Sequence, residues 1–135
     1  MIAKLQCVVL DCPDVVELSR FYRSLIGGVV NQPDPRWSLD DDWATLHTDG
    51  IVLAFQRVED HQPPQWPDPA RPQQFHLDLG VEDLQRAQDE VLRRGATVLD
   101  EGDGQRSWRI FADPAGHPFC LVRDSPEGPS GCGQW

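Results

Sequence analysis

The sequence predicts an α+β protein built from two copies of a β-α-β-β-β unit. Three observations carry this: two near-alternating apolar runs that each lead into an acid-capped amphipathic stretch, three short β-type runs behind each stretch, and a fixed spacing between the copies. Residues 5–10 (LQCVVL) and 75–79 (FHLDL) read as the opening strands. The helix starts follow at Pro13-Asp14 and Glu82-Asp83, where aspartate caps free backbone N–H groups and favours the positive end of the helix dipole. Val15, Leu18, Tyr22 and Leu25 form one apolar stripe; Leu84, Ala87 and Val91 form the other, widened by Leu92. Glycine closes both helices, at Gly27-Gly28 and Gly95. The remaining strands are expected over 28–30, 43–47 and 51–58, then over 97–99, 107–112 and 118–122.

The two copies are in register. Asp14 and Asp83 lie 69 residues apart, as do Cys7 and His76, and the glycines before each last strand, Gly50 and Gly116, lie 66 apart. Four residues beyond those glycines stand Ala54 and Cys120, so Cys7, Ala54, His76 and Cys120 form an equivalent quartet on first and last strands. Between the copies, residues 58–74 hold five of the twelve prolines, which excludes a regular helix or a central strand. A shorter break, NQPDPR, spans 31–36. The expected organisation is a first module over 1–57, a proline-rich linker over 58–74, a second module over 75–124 and a flexible tail over 125–135.

Composition narrows the partners. The 135 residues suffice for one domain or for two half-domains sharing a core, and with 39% apolar and 25% charged residues the chain is expected to fold. Acids outnumber bases 22 to 12, a net charge of −10 that repels phosphate backbones and anionic bilayers, so no nucleic acid and no membrane is expected as partner. No apolar run approaches the roughly 18 residues of a membrane span. The N-terminal MIAKLQCVVLDCPD turns acidic too soon for a signal peptide. The four cysteines show neither CxxC spacing nor the density of a disulfide scaffold, which points to a cytoplasmic protein with reduced thiols.

The segments CVVLDCPDVVELSRFYRSLIGG, FHLDLGVEDLQRAQDEVLRRGA and DPAGHPFCLV, in this order within residues 3–124, resemble the vicinal-oxygen-chelate superfamily of glyoxalase I, bleomycin-resistance proteins and extradiol dioxygenases. Phe21-Tyr22, the V-x-D-L of Val81 to Leu84 and the turn from Asp113 to Gly116 carry the likeness, and the join with QWPDP resembles a glyoxalase-like subgroup common in actinobacteria. The resemblance implies two βαβββ modules forming a cupped mixed sheet, often in a homodimer. It also implies, for enzymatic members, a divalent metal held at the quartet by His or Glu. Here the match is partial. His76 stands where the family has histidine, Cys7 where histidine is usual, Cys120 where glutamate is usual, and Ala54 where Glu or Gln is usual.

Two chemistries therefore compete. Cys7, His76 and Cys120 are respectable zinc ligands, but free cysteines on strands are also ordinary small hydrophobes. Ala54 offers no proton acceptor where glyoxalase-type isomerisation, as the family performs it, uses a metal-bound glutamate. No cofactor and no metal is therefore expected, with a variant divalent site as the alternative. His76 is either a hydrogen-bonded structural residue or a ligand contact, and Asp78 shares its face, orienting the ring or sitting solvated at a rim. A nucleophilic Cys–His pair lacks an orienting third residue. Of the five tryptophans, Trp37, Trp43 and Trp108 fall beside segments that line a cup or pack the core, and Gln56 and Arg109 offer polar groups there. The expected function is binding of a small aromatic or apolar molecule in a metal-free cup contacted by His76, Asp78, Cys7, Cys120, Trp37, Trp43, Gln56, Trp108 and Arg109. The alternatives are a metal-dependent lyase, isomerase or dioxygenase with a variant ligand set, and a pure interaction module.

Overall fold

Each half of the chain runs strand, helix and three strands. In the computed structural model, which describes residues 1–33, 37 and 40–124, the first half holds β1 (Val8–Cys12), α1 (Val15–Ile26), β2 (Val29–Val30), β3 (Trp43–His47) and β4 (Val52–Arg57). The second holds β5 (Leu77–Val81), α2 (Leu84–Arg93), β6 (Thr97–Asp100), β7 (Trp108–Ala112) and β8 (Pro118–Arg123). They form two four-stranded sheets, ordered β1-β4-β3-β2 and β5-β8-β7-β6. The chain separates into two units inside the proline-rich stretch, between Gln62 and Pro63. The expected break at 31–36 lies partly, and the tail at 125–135 wholly, outside the described residues.

In each unit the opening strand lies parallel to the closing one, Val8 opposite Leu53 and Leu77 opposite Phe119. The observed registers thus repeat the sequence spacings of 69 and 66 residues. Both opening strands begin two or three residues later than the apolar runs suggest. The ladder explains this in β1: its partner β4 starts at Val52, so Leu5 and Gln6 extend past the end of the strand they would pair with.

Directly opposed residues project to the same side of a sheet, which fixes two faces per unit. In the first unit Leu10, Cys12, Ala44, Leu46, Leu53 and Phe55 are buried on one face. Phe55 stacks on Tyr22 of α1 at 6.0 Å and 21°, and Tyr22 meets Phe21 edge-on at 5.1 Å. This is the helix-bearing face. In the second unit Phe111 stacks on Phe119 at 5.6 Å, and Arg109, on the same face, bonds to α2. The expected α2 stripe needs correction: Leu92 is exposed, and Gln88 takes the buried position between Leu84 and Val91. Its amide is satisfied there, donating to Glu101 at 2.6 Å and accepting from Arg109 at 2.8 Å.

Aspartate opens both helices as expected. The Asp14 carboxylate accepts from the N–H groups of Val16 (2.9 Å) and Glu17 (3.1 Å), and that of Asp83 accepts from Arg86 (3.0 Å). Gly28 is held by a close approach and by φ +99°: a Cβ there would lie 2.5 Å from the His47 carbonyl oxygen. The Asp14→Ala substitution should cost about 1 kcal/mol, and Asp83→Ala, with one bond to lose, less. Urea unfolding checks both, and an unchanged midpoint for Asp14→Ala would contradict the capping account.

Candidate functional site

Strand alternation decides which side chains can meet. On β5 and β8 of the second unit Asp78 lies directly opposite Cys120, and Cys120 opposite Ile110 of β7. His76, two residues before Asp78, falls on the same helix-free face. The His76 Nε2 stands 3.3 Å from the Asp78 Oδ1, and the donor atoms of His76, Asp78 and Cys120 all lie within 4.8 Å of one another. Beside them Ile110, Cys120 and Val122 form a buried apolar patch on which Trp66, Leu99 and Trp108 pack. Trp66 arrives from the proline-rich segment, whose Pro63 leans on the β7–β8 turn so closely that a Cβ at Gly116 would lie 2.5 Å from it.

The rim of this face is charged. The Arg106 guanidinium sits 4.9 Å over the Trp108 ring and bonds to the Asp100 carboxylate at 3.1 and 3.2 Å. The Arg106 bond, with help from the Gly102 N–H, holds the Asp100 carboxyl below its ordinary value. The Trp108 indole N–H is buried with no acceptor among the described residues.

In the first unit the equivalent face carries Val9, Asp11, Trp43, Thr45, His47, Val52, Ala54 and Gln56. Trp37 meets His47 edge-on at 6.0 Å, and the His47 Nε2 contacts the Thr45 hydroxyl at 3.1 Å. At the base of β1 a cavity of about 240 Å³ is lined by Cys7, Leu5, Thr48, Ile51 and Val52.

The nine candidate residues therefore separate. His76, Asp78, Cys120 and Trp108 come together in the second unit. Trp37, Trp43 and Gln56 lie on or beside the helix-free sheet face of the first, and Cys7 lines the cavity there. Arg109 departs from expectation. It projects to the helix-bearing face, where its guanidinium donates to Gln85 (3.0 Å) and Gln88 (2.8 Å), because its strand neighbours Trp108 and Ile110 take the other side. Sequence reasoning missed Arg106, Asp100 and Leu99. The Arg-x-Trp spacing, which puts Arg106 and Trp108 on one side of an extended segment, was the available signal.

The expectation of uniformly reduced thiols also needs correction. Cys7 and Cys12 are in no disulfide, Cys120 is disulfide-bonded, and Cys132 lies outside the described residues. That bond decides whether a divalent metal fits. With its sulfur in a disulfide Cys120 is no thiolate, and the cluster offers one imidazole and one carboxylate already paired with each other. Ala54, the equivalent of Cys120 in the first unit, has no donor atom. Among the described residues, His76, Asp78 and Cys120 are the group whose donor atoms could hold a divalent metal if the Cys120 sulfur were a free thiolate.

The family model described as "Glyoxalase-like domain" matches residues 7–122. The chain belongs to the glyoxalase-like domain family. No curated protein matches. Among solved structures, this glyoxalase-like chain is similar to a glyoxalase/bleomycin resistance protein/dioxygenase family enzyme from Burkholderia phytofirmans, with 18% identity, a TM-score of 0.66, and 90% of this chain and 98% of that one covered. It is also similar to the fosfomycin resistance protein FosX of Mesorhizobium loti, with 15% identity, a TM-score of 0.66, and 94% and 96% covered. A mutant FosX from Listeria monocytogenes, solved with Mn(II) and a dihydroxypropylphosphonic acid, gives 14% identity, a TM-score of 0.67 and 94% of each chain covered. At these identities the likeness shows the fold. Among the described residues no helix is long and apolar enough to cross a membrane.

Burial pushes the Cys7 thiol above its ordinary value. The neutral thiol is thus favoured in the fold, and its contribution to stability is present below the ordinary thiol value and lost as pH rises through the raised one. Iodoacetamide should label Cys7 slowly near neutrality, with a midpoint above that of an ordinary exposed thiol. Fast labelling at pH 7, removed by Cys7→Ser, would show an activated thiolate instead.

Proposed function

We propose that the protein binds a small aromatic or apolar molecule, without a metal, against the helix-free face of its second unit. The observation that carries this is the aromatic and apolar patch of Trp66, Leu99, Trp108, Ile110 and Val122 set beside one polar pair, His76–Asp78. Small-molecule sites have this composition, mostly apolar with a few fixed polar groups. The buried Trp108 N–H, without an acceptor among the described residues, adds a requirement. A ligand carrying a carbonyl or hydroxyl oxygen would satisfy it, removing the cost of an unpaired buried donor. His76 and Asp78 would hold a second polar group at the other end of the patch.

In non-reducing buffer, titration with a library of small oxygenated aromatics should change tryptophan fluorescence saturably. Trp108→Phe, which keeps an aromatic ring but removes the indole N–H, should weaken binding by roughly fivefold or more, the worth of at least about 1 kcal/mol. His76→Ala should weaken it at least as much while shifting the melting temperature little. Binding that survives both substitutions and is lost in Cys7→Ala would move the site to the cavity of the first unit.

A further inference from the structure

We propose that Trp66 is a built-in occupant of the apolar patch, and that a planar bicyclic aromatic molecule binds by taking the place of its indole. The inference rests on the ligand reading above and adds how that site opens and what shape it accepts. Ile110, Cys120 and Val122 lie on the helix-free face, yet they are only 1%, 0% and 4% exposed. Trp66, Leu99 and Trp108 pack on them. Leu99 and Trp108 belong to β6 and β7 of the same sheet, so Trp66 is the member of the three that reaches the patch from outside it. A molecule lying flat on Ile110 and Val122 must therefore displace the indole.

The segment that carries Trp66 is shaped to lift as one piece. The Gln65 N–H donates to the Arg71 carbonyl at 2.8 Å, the Asp68 N–H to that of Gln65 at 2.7 Å, and the Arg71 N–H to that of Asp68 at 3.2 Å. The Asp68 carboxylate accepts from the Ala70 N–H at 2.9 Å. All four bonds close within residues 65–71, so they survive when the segment moves. Pro63, Pro64, Pro67, Pro69 and Pro72 stiffen it. Trp66 is half-buried and residues 67–72 are exposed. A segment that buries so little opens at a fraction of the global unfolding free energy. Pro63, resting on Gly116, is its foot.

The occupant also describes its replacement. An indole is two fused flat rings, and a ligand of that outline replaces it with least rearrangement. The charge of −10 disfavours an anion. The Trp108 N–H, buried without an acceptor among the described residues, requires an oxygen. A neutral hydroxylated bicyclic aromatic meets all three conditions. While the indole is seated, the apparent affinity is reduced by the fraction of chains that are open.

The test titrates the full-length chain, Trp66→Ala and Asp68→Ala with 2-naphthol by isothermal calorimetry. Trp66→Ala removes the competing indole and should tighten binding by about tenfold. Free indole should then displace 2-naphthol from that variant. Decahydro-2-naphthol, the saturated and puckered analogue, should bind about fivefold more weakly than 2-naphthol. Asp68→Ala loosens the turn without touching the patch and should tighten binding by about twofold, with an unchanged circular dichroism spectrum. It decides the matter if Trp66→Ala does not fold. Equal or weaker 2-naphthol binding by folded Trp66→Ala, or equal binding of the saturated analogue, would overturn the proposal and leave the ligand site standing. No binding by any of the three chains would remove the ligand reading and this inference with it.

Discussion

Parallel pairing between the first and last strand of each unit is the constraint on which the rest depends. Once Val9 lies opposite Ala54 and Asp78 opposite Cys120, the two-residue period of a strand assigns every neighbouring side chain to one of two faces. A slip of one residue would send Phe55 and Phe119 away from their helices and bring Ala54 and Cys120 under them. The stacking of Phe55 on Tyr22 and of Phe119 on Phe111 opposes such a slip, since burying a phenylalanine is worth roughly 1.5–3 kcal/mol. The core on one face thereby fixes the chemistry on the other.

The same constraint separates two arginines that composition alone would treat alike. Arg109 is committed to the α2 glutamines on the helix-bearing face, and there it satisfies Gln88, the polar residue within the buried stripe. Arg106 lies before β7, on the helix-free side, where it stacks on Trp108 and neutralises Asp100. One guanidinium supports the fold. The other conditions the rim of the candidate site, keeping the Asp100 carboxylate ionised to lower pH than an isolated one.

Most of the fold was legible because its signals are local. Asp14 and Asp83 cap helices through their own next two or three residues, and the spacings of 69 and 66 residues reappear unchanged in the ladder registers. The misreadings arose where distant partners decide. The opening strands start late because their ladder partners end, and Leu92 gives way to Gln88 because Glu101 and Arg109 supply its bonds. His76, Asp78, Cys120 and Trp108, singled out from the sequence, come together in the second unit. Leu99, Asp100 and Arg106 were not singled out, because their places depend on how segments outside β7 and β8 fold over them, nor was the Cys120 disulfide.

The central claim is that the helix-free face of the second unit is where a small molecule binds. An amide and indole NMR titration of the uniformly labelled chain with a mixture of oxygenated aromatic fragments tests it most directly. The account predicts shifts concentrated at the Trp108 and Trp66 indoles and at the amides of Asp78, Ile110, Cys120 and Val122, with α1 and α2 unmoved. Shifts confined to Cys7, Thr48 and Ile51 around the cavity of the first unit, or none from any fragment, would contradict it.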